Sequence, residues 1–331
     1  MFDFGTIINK SIAITKRNKW LWVLGAIAGG GMSLGNNWSS GGTDLKEIFE
    51  KFPGKTIDVP KITQESTKVL GMFYSYVSEW FYNVGPINWV LLFLGIGLAV
   101  LSGIILSMII QAWARVGLIS AIDRELDGKQ SDLALASATG IAKIKNLFIF
   151  SFISIFLIII PIMVILTLAG IFHARAFSNE LYFIAYIFLG IIPGVIFTVV
   201  GIIFMLMISI YAERLIVLSS YSPWQAWKKG LSLSKGNFMG TAIMGLINTI
   251  AATAFGCVTT IIMAIILGIP GFIIIYPNIK NREMPGMPEI IVLGIFLLVF
   301  IFGQTVFGAI ISVFKFANWN QVFREVIKND K

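Results

Sequence analysis

The sequence has little charge. Only 13% of its 331 residues are Asp, Glu, Lys or Arg, whereas 57% are hydrophobic. A soluble domain carries about a quarter of its residues as charges. Because a chain of this length with so little charge cannot cover a water-facing surface, the composition excludes an ordinary soluble globular fold.

Cysteine and histidine are almost absent as well. Cys257 is the single cysteine, so no disulfide can form within the chain, and its apolar surroundings in the sequence predict a small core residue. His173 is the single histidine, which excludes a metal site built from several histidines and argues against His-based catalysis. We therefore expect no cofactor, no metal and no catalytic residue.

What the sequence does contain is a set of long runs without any charge. A membrane-spanning helix needs about 20 mostly apolar residues, and in lipid its backbone must bond to itself. The runs do not alternate apolar and polar residues, which argues against a β-barrel. We therefore predict an all-α, polytopic transmembrane bundle of six spans forming one integral membrane domain, residues 1–331. The spans are predicted at about 20–35, 86–114, 147–172, 182–211, 236–267 and 290–315.

Two of these spans leave alternatives open. The first follows the basic segment "KRNK", an order also found in signal peptides, but no convincing cleavage site follows it. Its Gly25 and Gly29 would let another helix approach closely, or mark a frayed helix end. The uncharged run 236–279 is long enough for two spans; we favour one, broken at "GIPG", residues 268–271.

Basic residues are unevenly distributed between the two sides that the spans define. Seventeen of the 25 lysines and arginines fall on the side of the two termini. Because basic loops stay in the cytoplasm, this bias predicts that both termini are cytoplasmic and that residues 36–87 form a large external loop. Membrane orientation accounts for the net charge of +8, so no nucleic-acid partner is needed.

A threefold internal repeat is suggested by the segments that precede spans one, three and five. "ASATGIAKIKNLF" aligns with "AWKKGLSLSKGNF" so that Ala136 meets Ala226 and Gly140 meets Gly230, and "KSIAITKRN" fits with Ser11 at the glycine position. Each repeat would be an amphipathic surface helix followed by a transmembrane hairpin. The predicted units are residues 1–115, 131–211 and 222–315.

The third of these surface helices has the strongest pattern. Ser222, Pro223 and Gln225 match an N-cap, a first-turn proline and a capping-box partner, and Asp3 and Asp132 can cap the other two helices. A basic helix with tryptophan on its apolar side favours the lipid interface, although a helix packed beneath the bundle gives the same pattern. The residues expected at the lipid interface are Trp224, Trp227, Lys228, Lys229, Lys235, Lys16, Arg17 and Lys145.

Polar residues inside the spans are few and uncharged. Gln111, Asn248 and Gln304 are candidates either for hydrogen bonds between helices or for the lining of a solute cavity. The acidic segment "DRELDG", residues 123–128, lacks the ligand spacing of a calcium loop and is predicted to be a solvated, self-paired turn.

Three stretches resemble a group of bacterial and archaeal six-span membrane proteins, which includes the membrane domain attached to some glycerophosphoryl diester phosphodiesterases. They are "FDFGTIINKSIAITKRNKWLWVLG", "ARVGLISAIDRELDGK" and "AERLIVLSSYSPWQAWKKGLSLSKGNF". The resemblance implies a six-span helical bundle in a prokaryotic plasma membrane. It implies no phosphodiesterase activity, since the soluble catalytic barrel of such proteins has no counterpart here.

Taken together, these features predict a non-enzymatic multi-pass membrane protein of structural, regulatory or assembly type. Its basic amphipathic helices would engage the bilayer and its anionic lipid head groups, while the sequence identifies no protein partner. The alternative is a transporter or channel for a neutral or lipidic solute, which a polar cavity within the bundle would favour.

Overall fold

A computed structural model describes residues 2–30, 86–176, 192–281 and 286–329. These residues are helical apart from short connections. The chain divides into two compact units, residues 34–107 and the remainder. Most of the predicted external loop lies outside the described residues.

Nine α-helices make up the described part of the chain. Two π-helical turns accompany them: Ala26–Gly30 continues α2, and Ala264–Gly268 joins α7 to α8. The helices are α1 Phe4–Arg17, α2 Leu21–Gly25, α3 Pro86–Leu126, α4 Leu133–Ala176, α5 Ile192–Ser219, α6 Pro223–Gly236, α7 Phe238–Met263, α8 Ile269–Asn281 and α9 Met287–Asn329.

Five helical stretches in the described residues are long and apolar enough to cross a membrane. They lie in α3, α4, α5, the continuous α7–α8 path and α9. The predicted class, an all-helical membrane protein with several spans, is thereby confirmed for this part of the chain. Only α2 and the turn after it, residues 21–30, represent the first predicted span, and the rest of that span lies outside the described residues.

The expected break at residues 268–271 takes a different form. A π-helical turn spans Ala264–Gly268, and the helix then continues past Pro270 to Asn281. A π turn widens the backbone ring locally and can absorb a residue that lacks an amide hydrogen. The run therefore stays on one helical path instead of breaking at "GIPG".

The predicted caps are present at all three helix starts. Asp3 Oδ1 accepts a hydrogen bond from the Thr6 amide at 3.1 Å, and Asp132 Oδ1 accepts one from the Leu135 amide at 2.8 Å. Ser222 forms the reciprocal capping box with Gln225. These side chains satisfy amide groups that the first helical turn leaves without partners.

One of the three predicted surface helices is not a separate element. Residues 133–148 form the beginning of α4, which runs unbroken to Ala176. By contrast, α6 ends at Gly236, and Asn237 leaves helical geometry before α7 begins. The aligned positions in α4 are Asn146 and Leu147, which contain no glycine, so the helix is not interrupted there.

Most of the buried core lies at one end of the long helices, here called the basic end: the end of α3, α5 and α9 where Arg115, Arg214 and Lys315 are found. The ends of these helices pack there with α1, α2, α6 and the start of α4. Many large apolar side chains further along the helices are exposed, as expected of surfaces that lipid covers. Cys257 is exposed as well, so the prediction that it is a core residue was wrong.

The C-terminal segment belongs to this core. α9 does not end with the last predicted span, at about residue 315, but continues to Asn329. Ala317, Asn318, Asn320 and Val322 are all fully buried. The sequence gives no sign of this burial, because asparagine and glutamine are typical of solvated segments until their partners on other helices are known.

Small residues set the closest helix contacts at the basic end. A Cβ atom added to Gly25 of α2 would lie 2.6 Å from the carbonyl oxygen of Ala309 in α9. One added to Gly140 of α4 would lie 2.9 Å from the carbonyl oxygen of Trp113 in α3. Side chains larger than hydrogen are therefore excluded at both glycines in this packing.

Candidate functional site

The exposed face of α6 carries the tryptophans and lysines that the sequence singled out. The Trp224 and Trp227 rings stack in parallel with centroids 5.4 Å apart, and Lys228 Nζ lies 5.3 Å from the centre of the Trp224 ring. Trp224 is 53% exposed. Trp227 is half-buried and packs against the core, so Trp224 and Lys228 form the outward part of this face. An exposed indole beside a lysine is typical of an interfacial membrane anchor.

The opposite face of α6 fixes the helix to the bundle. Ala226, Gly230, Leu233 and Ser234 are buried, and α6 packs mainly against α5. Ser220, in the left-handed conformation at φ 57°, connects the two helices. The structure therefore combines both sequence interpretations, because α6 packs on the bundle with one face and leaves the aromatic, basic face outward.

The other residues expected at the lipid interface are distributed over three helices. Lys16 lies on α1, Lys145 on α4 and Lys235 on α6, and all three are exposed. Lys229 is half-buried. Arg17 is exposed at its side chain but forms an ion pair with the buried Glu125 of α3, so part of its role is structural.

A second group of polar side chains is buried at the basic end. Asn318 Nδ2 donates to Asn248 Oδ1 at 2.6 Å, joining α9 to α7. The Tyr211 hydroxyl and the Thr241 hydroxyl are 2.6 Å apart, joining α5 to α7. Asn248 thus takes part in a hydrogen bond between helices, which is the first of the two roles that the sequence left open for it.

A cavity of about 500 Å³ lies between α3, α4, α5 and α9. Its lining residues follow helical spacing, so each helix contributes one face. They are Met108, Gln111, Ala112 and Arg115 of α3; Phe150, Ser151, Ser154, Ile155 and Ile158 of α4; Leu206, Ser209, Ile210, Glu213 and Arg214 of α5; and Lys315, Phe316 and Trp319 of α9.

Four of these lining side chains are ionisable. Arg115 Nη1 bonds Glu213 Oε1 at 3.1 Å, and Arg115 Nε bonds the Ala28 carbonyl at 3.2 Å. Arg214 is only 2% exposed and donates to the Ile210 carbonyl at 2.7 Å. With Lys315, the lining has three cations and one carboxylate, which makes the cavity electropositive.

The three polar residues predicted within the spans do not meet in one cavity. Gln111 lines it, whereas Asn248 and Gln304 are not among the lining residues. The sequence interpretation missed Arg115, Glu213, Arg214 and Lys315 because they come at the ends of uncharged runs and were counted with the loop charges. Their shared position at the ends of the second, fourth and sixth predicted spans, which the predicted topology puts on one side of the membrane, was the available signal.

The acidic segment 123–128 is not the solvated, self-paired turn that the sequence predicted, because residues 123–126 end α3, Glu125 is buried and arginines distant in sequence bond the carboxylates. Arg324 of α9 bonds Asp123 at 2.6 Å and Asp127 at 2.7 Å. The hydrogen bond from Arg324 holds the pKa of the Asp127 carboxyl below its usual range. Within the described part of the chain, no three His, Cys, Asp or Glu side chains are placed to hold a metal ion.

No protein-family model, no curated protein and no solved structure matched this chain. The resemblance to six-span prokaryotic membrane proteins therefore stays a prediction.

Proposed function

We propose that this protein is a non-enzymatic, multi-pass membrane protein that engages anionic lipid head groups through the outward face of α6. The observation that carries the proposal is the exposed Trp224 ring, which stacks on the half-buried Trp227 and has Lys228 beside it. Indole rings favour the membrane interface, and each lysine near an anionic surface contributes about 1 kcal/mol of attraction. A structural, regulatory or assembly role at the membrane surface fits this arrangement.

The proposal includes a prokaryotic plasma membrane, six spans and cytoplasmic termini. The sixth span would be completed by residues 20–35, of which α2 already packs against α9 at Gly25. The basic end would then face the cytoplasm, in agreement with the positive-inside rule. In this proposed orientation α6 would lie on the leaflet side where anionic lipids attract basic segments.

We also propose the threefold repeat, because the same kind of contact between helices occurs at the three aligned positions Ser11, Gly140 and Gly230. Ser11 Oγ accepts from Gln321 Nε2 at 2.7 Å, so α1 packs on the end of α9. Gly140 lies against the Trp113 carbonyl on α3. A Cβ atom on the aligned Gly230 would lie 3.1 Å from the Ile208 carbonyl on α5. In each case a helical segment packs on the end of a preceding or terminal span.

The test is lipid retention by the full-length protein. We expect Lys228→Gln with Lys235→Gln to weaken retention of anionic lipid by roughly fivefold per lysine. Native mass spectrometry of protein released from mixed anionic and neutral bilayers would count the retained lipids. Both lysines are exposed on α6.

The matched control removes the same charge elsewhere: Lys129→Gln with Lys328→Gln, two exposed lysines at the end of α3 and of α9. Equal loss in both double variants would mean that net charge alone attracts the lipid. That result would contradict a lipid-binding role for α6.

A second candidate function is transport of a neutral or lipidic solute, and the 500 Å³ cavity is the observation that favours it. Transporters bind their substrates between membrane-spanning helices. Reconstituted protein that releases an entrapped or lipid-soluble probe faster than empty liposomes would favour transport. An unchanged release rate would favour the non-transporting role.

A further inference from the structure

The cavity between α3, α4, α5 and α9 has the size of a small-molecule site. Such sites have volumes of about 300 to 1,000 Å³ and mostly apolar walls with a few convergent polar groups. The cavity of about 500 Å³ falls within this range. Its ligand chemistry depends on how polar and apolar residues are arranged along it.

The helices place polar and apolar residues at opposite ends of the cavity. α3 and α4 are antiparallel, since Gly117 lies against Ala136 and Gly140 lies against Trp113. Going away from the basic end, the lining therefore passes from Arg115 on α3 to Met108, and from Ser151 on α4 to Ile158. One end is cationic and the other is apolar.

Arg214 is the most unusual group in the lining. Its side chain is almost fully buried, and its guanidinium bonds main-chain carbonyls at Ile210 and, at 3.5 Å, Phe316. Its Nε has no hydrogen-bond partner among the described residues. A buried arginine is normally paired with a carboxylate, because an uncompensated charge is costly away from water.

The one carboxylate in the lining does not neutralise Arg214 by a direct contact. Glu213 is engaged by Arg115 at 3.1 Å. Lys315 also forms no ion pair with the carboxylates that the structure describes. Arg214 and Lys315 therefore line the same cavity without an ion pair to any described carboxylate, which is an arrangement that can bind an anionic group.

The apolar end of the cavity is accessible from the side of the bundle. Ile155 is 38% exposed and Leu206 is 58% exposed, although both line the cavity. In a bilayer these side chains would face acyl chains. An aliphatic chain could therefore extend from the cavity along α4 and α5 without crossing the cationic end.

We propose that this cavity binds a single-chain anionic amphiphile, with its phosphate or carboxylate at Arg214 and Lys315 and its chain against Ile155, Ile158 and Leu206. Phosphate and carboxylate are the groups that a guanidinium binds best. A small soluble anion would leave the apolar half unfilled. The inference does not rest on the lipid-surface role of α6.

The test measures binding to the full-length protein in nanodiscs of zwitterionic lipid. The probes are dodecyl phosphate and dodecanoate, with dodecanol and inorganic phosphate as the neutral-chain and chain-free comparisons. We expect one or both anionic amphiphiles to bind and to raise the unfolding temperature. Which of the two binds more tightly identifies the headgroup. The proposal would be overturned if neither dodecyl phosphate nor dodecanoate bound. It would also be overturned if dodecanol or inorganic phosphate bound as tightly as they do.

Substitutions at the two cations test whether the anionic group binds at Arg214 and Lys315. Lys315→Gln and Arg214→Leu should each weaken binding of the anionic amphiphile about tenfold or more, the usual effect of losing one charge-assisted hydrogen bond. Lys315→Gln keeps the test decisive if Arg214→Leu does not fold, because Lys315 is only half-buried. Lys328→Gln, an exposed lysine of α9 outside the cavity, is the matched control and should bind as the wild type does.

A second pair of variants tests the chain end. Ile158→Trp fills the apolar end and should weaken binding about tenfold, whereas Ile159→Trp, one residue along and 47% exposed, should not. Equal affinity of Ile158→Trp and wild type would overturn the placement of the chain. Replacing Trp224 and Trp227 by Phe should leave this binding unchanged, so the result is independent of the α6 proposal.

Discussion

Three neighbouring amide side chains on α9 bond to three different helices. Asn318 bonds to Asn248 of α7, Asn320 Nδ2 bonds to the Ile119 carbonyl of α3 at 2.8 Å, and Gln321 bonds to the Ile7 carbonyl of α1 at 3.0 Å. Buried amides are costly unless they are bonded, and bonded ones fix one arrangement of the helices. At the residue scale, these amides specify how α9 sits in the basic end.

The Asn248–Asn318 pair should show strong coupling. Asn248→Leu alone should lower the free energy of unfolding by about 1–3 kcal/mol, because it leaves the Asn318 amide buried without a partner. Asn248→Leu with Asn318→Leu should be close to wild type, since two apolar groups of similar size then meet. A double-mutant cycle from thermal unfolding in detergent measures the coupling, and additive losses would contradict the account.

Gly25 should tolerate no larger side chain. Gly25→Ala should destabilise the protein by about 1–3 kcal/mol, because the added methyl group would overlap the Ala309 carbonyl. Gly245→Ala in α7 is the control, since nothing lies within 4 Å of its Cβ position. Thermal unfolding of both variants checks the prediction. Similar unfolding temperatures for the two would show that α2 does not approach α9 this closely.

At the scale of whole helices, the last turns of α9 connect to α3 by charge as well as by packing. Arg324 bonds both Asp123 and Asp127, and also donates to the Asp123 carbonyl at 2.7 Å. These bonds hold the end of α3 just before Gly128, whose φ of 73° allows the chain to turn. The C-terminal part of α9 is therefore a structural helix and not a tail.

The stability that the Arg324–Asp127 contact contributes should fall at low pH. Because the pKa of Asp127 is lowered in the folded state, its stabilising contribution is present above the ordinary carboxyl pKa, about 3.9, and is lost as the pH falls through the folded value. The difference in unfolding temperature between wild type and Arg324→Gln should be constant from pH 7 to 5 and shrink below about pH 4. A difference that stays constant down to pH 3 would show that the carboxylates do not contribute.

The positions of the helices could be predicted from the sequence more readily than which helices pack against each other. Uncharged runs, and the caps at Asp3, Asp132 and Ser222, follow from local chemistry, so both were predictable. The burial of Asn318 and Asn320 depends on α3 and α7, which are distant in sequence. No local pattern carries that information.

The candidate site likewise has one part that could be predicted from the sequence and one part that could not. The aromatic and basic face of α6 could be predicted because a single short helix carries it. The cavity could not, because its charged lining comes from three helices, and Arg214 and Lys315 are 101 positions apart in the chain. Their uncompensated charge becomes visible only when the Arg115–Glu213 pair is seen.

At the scale of the whole molecule, the described residues form two regions that suit different surroundings. The basic end has a packed core with polar bonds and ion pairs, whereas the long helices beyond it expose large apolar side chains. A bilayer would cover the apolar stretches, since they would be insoluble in water. On this account α6 lies at the boundary, with Trp224 and Trp227 at the depth of the lipid head groups.

The most direct measurement of that claim is tryptophan quenching by brominated lipids in the full-length protein. The fluorescence lost in the Trp224→Phe, Trp227→Phe double variant gives the signal of these two rings. We predict that bromine near the head group quenches this signal strongly and that bromine deep in the acyl chains quenches it less. A signal that bromine quenches at neither depth would place α6 away from the bilayer and contradict the account.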